Sequence, residues 1–227
     1  MVDKKVIIIS GGSDGLGYSI AKRLAKENKV IILARNEKKL QVAAKEIKCE
    51  YEVCDVSKYS NCITAIESVI KKYNRIDYLI NNAGMWIEGE VDSNEDMQIS
   101  EAVNVNLLGT IFLSKACIPT MKKQKEGTIM NISSQAGLYA KGERAVYNAT
   151  KWGVTGFTKS LEMELQKYKI RVIGIYPGKL NTKMFEKMGI KKDLSDALDP
   201  DEIAKTIEFI ITLKQSTLIP EIGFRYI

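Results

Sequence analysis

Short runs of β-branched and aliphatic residues alternate along the chain with longer stretches whose apolar positions recur every three or four residues. "KVIIIS" (5–10), "KVIILA" (29–34), "YEVC" (51–54), "DYLIN" (77–81), "GTIMNIS" (127–133) and "IRVIGIY" (170–176) read as strands. Several are apolar throughout, as parallel strands covered on both faces must be. Between them the spacing predicts helices at roughly 16–27, 37–47, 58–73, 95–123 and 145–167. A last helix is predicted over 201–213, with Asp199 as N-cap and Pro200 in the first turn, and "TLIPEI" (217–222) reads as a final edge strand. Repeated β-α-β units with right-handed crossovers imply one α/β domain over 1–227, a Rossmann-type doubly wound parallel β-sheet flanked by helices on both faces.

Composition narrows the chemistry. With 45% of its 227 residues apolar, the chain has enough for one substantial core, and no linker, repeat or low-complexity run divides it. The net charge of +6 is spread in pairs such as Lys4-Lys5, Lys38-Lys39 and Lys122-Lys123. Solvated faces account for such pairs, whereas a nucleic-acid surface would cluster arginines with exposed aromatics, so no nucleic-acid partner is expected. The apolar run near the N-terminus is too short for a membrane span or a signal sequence. Cys49, Cys54, Cys62 and Cys117 lack CxxC spacing and read as reduced packing thiols of a cytoplasmic protein. There is no histidine, which excludes a Ser-His-Asp triad, a Cys-His dyad and an HExxH zinc site within the chain. No metal site is expected, and acid/base work near neutral pH falls to a tuned Tyr, Lys, Cys or carboxylate.

The first strand runs directly into "SGGSDGLG", with Gly11, Gly15 and Gly17 spaced G-x3-G-x-G before the first helix. Glycines there permit positive φ and let backbone amides approach a diphosphate at a helix N-terminus. A Gly-rich tight turn would share the pattern; its position between strand and helix favours a nucleotide, through Gly11, Ser13, Asp14, Gly15, Leu16 and Gly17. The Gly-Lys-Ser/Thr ending of a P-loop is missing. After the second strand comes "LARNEKKL", where Arg35 and Asn36 stand in place of a ribose-binding carboxylate. Arginine suits a 2′-phosphate, so NADP(H) is favoured over NAD(H), with the negative charge of Asp14 weighing the other way.

These residues, with "CDVS", "NNAG", "NVNLLG", "ISSQAG", "YNATK" and "YPGKLNT" in order, make the chain resemble the short-chain dehydrogenase/reductase family in its single-domain branch, from about residue 4 to about 213. The resemblance implies that Asp55 and Val56 sit at the adenine and that Asn82, Ala83 and Gly84 border the cofactor. It implies further that Pro177, Gly178, Leu180 and Thr182 meet the nicotinamide. By the same resemblance Asn106, Ser134, Tyr147 and Lys151 are the catalytic residues. Asn106 is preferred to Asn104 because Gly109 follows three residues later, and Ser133 is a structural neighbour of Ser134. Tyr147 would protonate the oxygen of a carbonyl receiving hydride, with Ser134 donating a second hydrogen bond. Lys151 would lower the tyrosine pKa, which is ordinarily about 10, and hold the nicotinamide ribose. Asn106 would link Lys151 to solvent through a water.

Three loops are expected to form the substrate pocket: Met85, Trp86 and Ile87; Gln135, Ala136 and Tyr139; Met184, Phe185 and Met188. Their apolar character fits hydrophobic ketones or aldehydes, with Lys141 and Arg144 at the rim as receptors for an anionic tail. The lid, around 183–198, is short. "RVIGIYPG" has Ile173-Gly174 where the family usually carries an asparagine, and the tail lacks an Asp-Gly-Gly ending. A homodimer or homotetramer is expected, through the outer faces of helices 95–123 and 145–167. The activity implied is NADP(H)-dependent reduction of a small carbonyl substrate to an alcohol. The alternatives are a 3-oxoacyl-[acyl-carrier-protein] reductase and, in another class, an NADP(H)-sensing binding protein without turnover. A sugar-nucleotide epimerase is disfavoured by the glycine spacing.

Overall fold

The computed structural model describes residues 4–187 and 189–227, with the backbone alone at Lys187. Seven strands form one parallel sheet in the order β3-β2-β1-β4-β5-β6-β7. They are β1 (Val6–Ser10), β2 (Lys29–Ala34), β3 (Glu50–Val53), β4 (Tyr78–Asn81), β5 (Gly127–Ile132), β6 (Ile170–Pro177) and β7 (Glu221–Phe224). Side chains alternate across the sheet, and the apolar runs split accordingly into two cores. Ile7, Ile9, Ile32, Ile80, Met130 and Ile175 point to one face, under α1 (Gly15–Leu24), α2 (Glu37–Ile47) and α8 (Pro200–Thr212). Ile8, Ile31, Leu33, Leu79, Ile129 and Val172 point to the other, under α3 (Tyr59–Tyr73), α5 (Gly109–Gln124) and α6 (Ala145–Leu165). Each fully buried isoleucine or leucine contributes about 1.5–3 kcal/mol, so a strand such as VIII needs covering on both faces.

Local signals set several boundaries. The Asn36 side chain accepts from the Lys39 amide at 3.0 Å and caps α2, and Asp199 accepts from the Asp201 amide at 2.9 Å, capping α8 with Pro200 behind it. Two expectations need correcting. The edge strand lies at Glu221–Phe224 rather than 217–222, because Pro220 has no N–H to give the ladder; its carbonyl still accepts from Gly174 at 2.8 Å. The predicted helix 95–123 is α4 (Asp96–Val103), then a π-turn over Asn104–Leu108, then α5. The stretch Asp96–Gln124 is apolar and long enough to cross a membrane by length and composition, yet it packs on the sheet through Leu113, Cys117 and Met121. A short helix, α7 (Met184–Lys187), lies in the lid segment, whose ends are joined by a bridge between Leu180 and Leu198.

One buried charge ties the base of the sheet together. The Asp77 carboxylate, 4% exposed, accepts from the Val6 amide at 2.7 Å and from both sides of the Arg75 guanidinium at 2.5 and 3.1 Å. Asp77→Ala leaves those donors without their acceptor. It is expected to cost about 2–3 kcal/mol in urea unfolding, while Asp77→Asn, which keeps one acceptor oxygen, costs less.

Candidate active site

Because all seven strands are parallel, their carboxyl ends share one edge, and the loops leaving that edge enclose a crevice of about 1060 Å³. Every residue predicted for cofactor, catalysis or pocket lines it except Gly17, Asn106 and Ile87, the last buried in the cluster behind the wall; Met188 lies outside the described residues.

At one end the chain turns tightly from β1 into α1. Gly11 and Gly15 adopt φ of +66° and +54°, and the Gly11 amide donates to the Leu33 carbonyl at 2.7 Å. Gly17 works behind the wall: a Cβ there would stand 2.3 Å from the Gly11 carbonyl oxygen, so its bare Cα lets α1 pack on the turn. The opposite side of the crevice comes close here, since a Cβ on Gly15 would meet Thr182 at 3.5 Å. Asn82 staples the end of β4 to the same turn, its Nδ2 donating to the carbonyls of Ser10 and Gly11 at 3.0 and 3.3 Å. The Ser10 hydroxyl accepts from the Asn82 and Ala83 amides, both at 3.0 Å. Asp55 closes the turn after β3, accepting from the Ser57 amide and hydroxyl at 3.1 and 2.7 Å. The Arg35 guanidinium, at the end of β2, donates to Glu101 of α4 at 2.7 Å. Glycines at positive φ, a helix N-terminus and an arginine at the adenosine end fit a dinucleotide.

At the other end Tyr147 and Lys151 lie one turn apart on α6, 6% and 5% exposed, with the ammonium 5.8 Å from the phenol ring centre. Lys151 Nζ donates to the Ile132 carbonyl at 3.0 Å. Its own carbonyl accepts from Ser133 and Thr155, both at 3.0 Å, so Ser133 is the structural neighbour expected. The Ser134 hydroxyl accepts from the Ala136 amide at 3.1 Å and turns toward Pro177 and the phenol. This loop approaches α6 so closely that a Cβ on Gly137 would lie 2.5 Å from the Ser133 hydroxyl and 2.8 Å from the Lys151 carbonyl oxygen.

Asn106 does not line the crevice. Its amide accepts from the Met85 amide at 2.7 Å and donates to the Met85 carbonyl at 3.0 Å and to Thr150 at 3.1 Å. This side chain therefore clamps the loop after β4 to helix α6. A Cβ on Gly84 would face both Asn106 Oδ1, at 3.3 Å, and Lys151 Nζ, at 3.7 Å, so Gly84 keeps the space between them open. Asn148 and Thr150, between Tyr147 and Lys151, have partners of their own. Asn148 donates to the Tyr139 carbonyl at 3.1 Å, and Thr150 joins Asn106 to the Tyr147 carbonyl. The spacing of "YNATK" carries no signal for those partners.

Electrostatics reverse one expectation. Burial pushes the Tyr147 phenol up to about 12, with Ser134 and the charge of Arg144 opposing it only in part. Burial also brings Lys151 down to about 8. The phenol is thus held protonated, because desolvation outweighs the Ser134 hydrogen bond and the charge of Arg144. Among the thiols, burial lifts Cys117 and brings Cys49 to about 11, and a hydrogen bond with Cys62 lifts Cys54. Among the described residues no group of three or more His, Cys, Asp or Glu is placed to hold a metal ion.

The three expected pocket loops do meet. Trp86 packs against Tyr147 with ring centres 4.3 Å apart and against Phe185 at 5.0 Å; Met85, Ala136 and Met184 border the same cluster. Arg144, on the crevice wall, stacks over Trp86 at 4.9 Å and donates to Glu88 at 3.2 Å. Glu88, which the sequence did not single out, also accepts from Lys192 of the lid at 2.9 Å and from the Trp86 indole at 3.4 Å. Desolvation acts to raise the Glu88 carboxyl, but hydrogen bonds from Lys192 and Trp86 and the charge of Lys192 hold it below its ordinary value. Gln135 and Tyr139 reach the tail, with Arg225 donating to Gln135 at 3.2 Å and stacked on the Tyr139 ring at 4.7 Å.

The family model described as short chain dehydrogenase matches residues 5–193. Carbonyl reductase family member 4 of Xenopus laevis is 33% identical over 91% of this chain and 91% of its own length. The structure of an alcohol dehydrogenase from the archaeon Thermococcus sibiricus complexed with 5-hydroxy-NADP superposes with a TM-score of 0.91 at 25% identity, covering 99% of this chain and 97% of that one. A metagenomic short-chain oxidoreductase in complex with NADP gives a TM-score of 0.85 at 30% identity, covering 97% and 96%.

Folding lowers the Lys151 pKa from 10.5 to about 8, so between those values the unfolded chain holds that proton more often. The contribution of this group to stability therefore rises with pH across that window and is at its most unfavourable below pH 8. Lys151→Met should be more stable than wild type by up to about 3 kcal/mol at pH 7, less the lost bond to Ile132. That advantage should fade by about pH 10, where Tyr147 begins to titrate in the unfolded chain. Urea midpoints at pH 7, 8.5 and 10 test this.

Proposed function

The chain belongs to the short-chain dehydrogenase family, and from that premise we propose that it reduces a ketone or aldehyde to an alcohol with NADPH, Tyr147 serving as the proton donor. The single observation that carries this reading is a buried, protonated phenol beside a buried ammonium, set in the apolar wall of a crevice roomy enough for a dinucleotide and a small substrate. The nicotinamide supplies the hydride when bound. The glycine turn receives the diphosphate, and Lys151 holds the nicotinamide ribose. As the carbonyl carbon accepts hydride, its oxygen gains negative charge and takes the Tyr147 proton, with Ser134 donating a second hydrogen bond. Tyrosinate then takes a proton from the Lys151 ammonium, which recovers one from solvent.

Arg35, exposed at the adenosine end, supports NADP(H) over NAD(H) through its reach toward a 2′-phosphate. The packing of Trp86 and Phe185 against Tyr147 supports a hydrophobic substrate. Exposed Trp152 and Met163 on α6 support a homodimer or homotetramer through that helix, and four free cysteines fit a reducing, cytoplasmic setting.

Tyr147→Phe should bind NADPH about as well as wild type and lose carbonyl reduction by about 10²- to 10⁴-fold. Undiminished turnover would sink the assignment. NADPH oxidation across aryl ketones, aldehydes and an acyl-carrier thioester identifies the substrate class, and no oxidation with any of them favours a binding protein. Arg35→Ala should cost about tenfold in kcat/KM with NADPH and little with NADH.

A further inference from the structure

The adenosine end of the crevice carries an acid that the sequence gives no reason to place there. Glu101 belongs to α4, which follows β4, whereas Arg35 closes β2; the chain separates them by 66 positions. Their side chains meet at 2.7 Å, and both line the crevice. Among the described residues this is the only ion pair either of them makes. The backbone carrying Glu101 is firmly held. Ala102 beside it is fully buried, Ile99 packs on the pocket-wall cluster, and the π-turn that follows is clamped to Met85 through Asn106. The pair itself is open to solvent, 69% exposed on the arginine side and 40% on the glutamate side. It is thus loose enough to exchange partners without moving the helix.

We propose that Glu101 is a cofactor-specificity residue: it holds the Arg35 guanidinium when no 2′-phosphate is present and competes with that phosphate when one arrives. The inference rests on the reading of Arg35 as a 2′-phosphate receptor. The phosphate must either displace the carboxylate or share the guanidinium with a second anion about a residue's length away, and both routes weaken its binding. A 2′-hydroxyl carries no charge and meets neither penalty. Glu101 therefore narrows the gap between NADP(H) and NAD(H) that Arg35 alone would create, and Lys39, on the same rim, adds charge on the side of the phosphate.

The test separates the 2′-phosphate from the rest of the cofactor and needs no turnover. 2′,5′-ADP and 5′-AMP are titrated calorimetrically into wild type, Glu101→Gln, Arg35→Ala and the double variant. Glu101→Gln is expected to bind 2′,5′-ADP about two- to fivefold more tightly, the worth of one exposed ion pair, with 5′-AMP unchanged. The gain should shrink as salt is raised and should be smaller in the Arg35→Ala background, where no guanidinium is left to release. An unchanged or weaker affinity for 2′,5′-ADP, an equal change for both ligands, or an equal gain with and without Arg35 would overturn the inference. If Arg35→Ala binds 2′,5′-ADP as wild type does, Arg35 is not the phosphate receptor, and the cofactor reading falls with the inference. If Arg35→Ala loosens 2′,5′-ADP while Glu101→Gln is silent, the cofactor reading stands and the inference alone fails.

Discussion

Placing the Lys151 ammonium inside the protein is the constraint around which the crevice is organised. A buried ammonium is costly unless dipoles replace its water, and the side chain has the Ile132 carbonyl, at the end of β5, as its hydrogen-bond acceptor. The carbonyl of Lys151 is gripped in turn by Ser133 and Thr155, and Gly137 has no side chain to hold the preceding loop away. Strand β5, the loop after it and helix α6 are thereby fixed to one another at the buried lysine. The same burial that pulls Lys151 down pushes Tyr147 up, so one desolvated pocket yields a protonated acid and an easily deprotonated ammonium side by side.

The π-turn at Asn104–Leu108 has a comparable purpose on the other side. A regular helix from 96 to 124 would carry Asn106 past its partners at the standard pitch; the wider turn leaves it fully buried, spanning Met85 and Thr150. Asn106 thus joins the loop after β4 to helix α6 directly below Tyr147. Since Met85 immediately precedes Trp86, the ring that packs on the phenol is anchored through this amide.

The walls of the crevice are held by charge where they are not held by packing. Glu88 gathers Trp86, Arg144 and Lys192 from three separate segments, and Lys179 makes a second tie, donating to the Asp193 carbonyl at 2.7 Å. The partly buried Glu88 contacts shape the substrate end, whereas the Arg35–Glu101 pair at the other end of the crevice is exposed and exchangeable. The contrast follows from burial: the same kind of ion pair acts as a structural tie where water is excluded and as a replaceable partner where it is not.

The residues alone determined the parallel sheet, because strands such as VIII and VIILA have no polar face to give to water, and they narrowed the chemistry, because a chain without histidine leaves acid/base work to a Tyr, Lys, Cys or carboxylate. They also placed the glycine turn, the cap at Asp199, and the three loops that meet at Tyr147. Tertiary structure decided what depends on distance across the chain. Gly17 and Asn106 proved to work behind the crevice wall, Arg144 found Glu88, and Arg35 found Glu101. It also set the direction of the Tyr147 shift. A spacing pattern names the neighbouring charges, but only the folded environment fixes how much water is removed from them, and here that removal outweighs the charges.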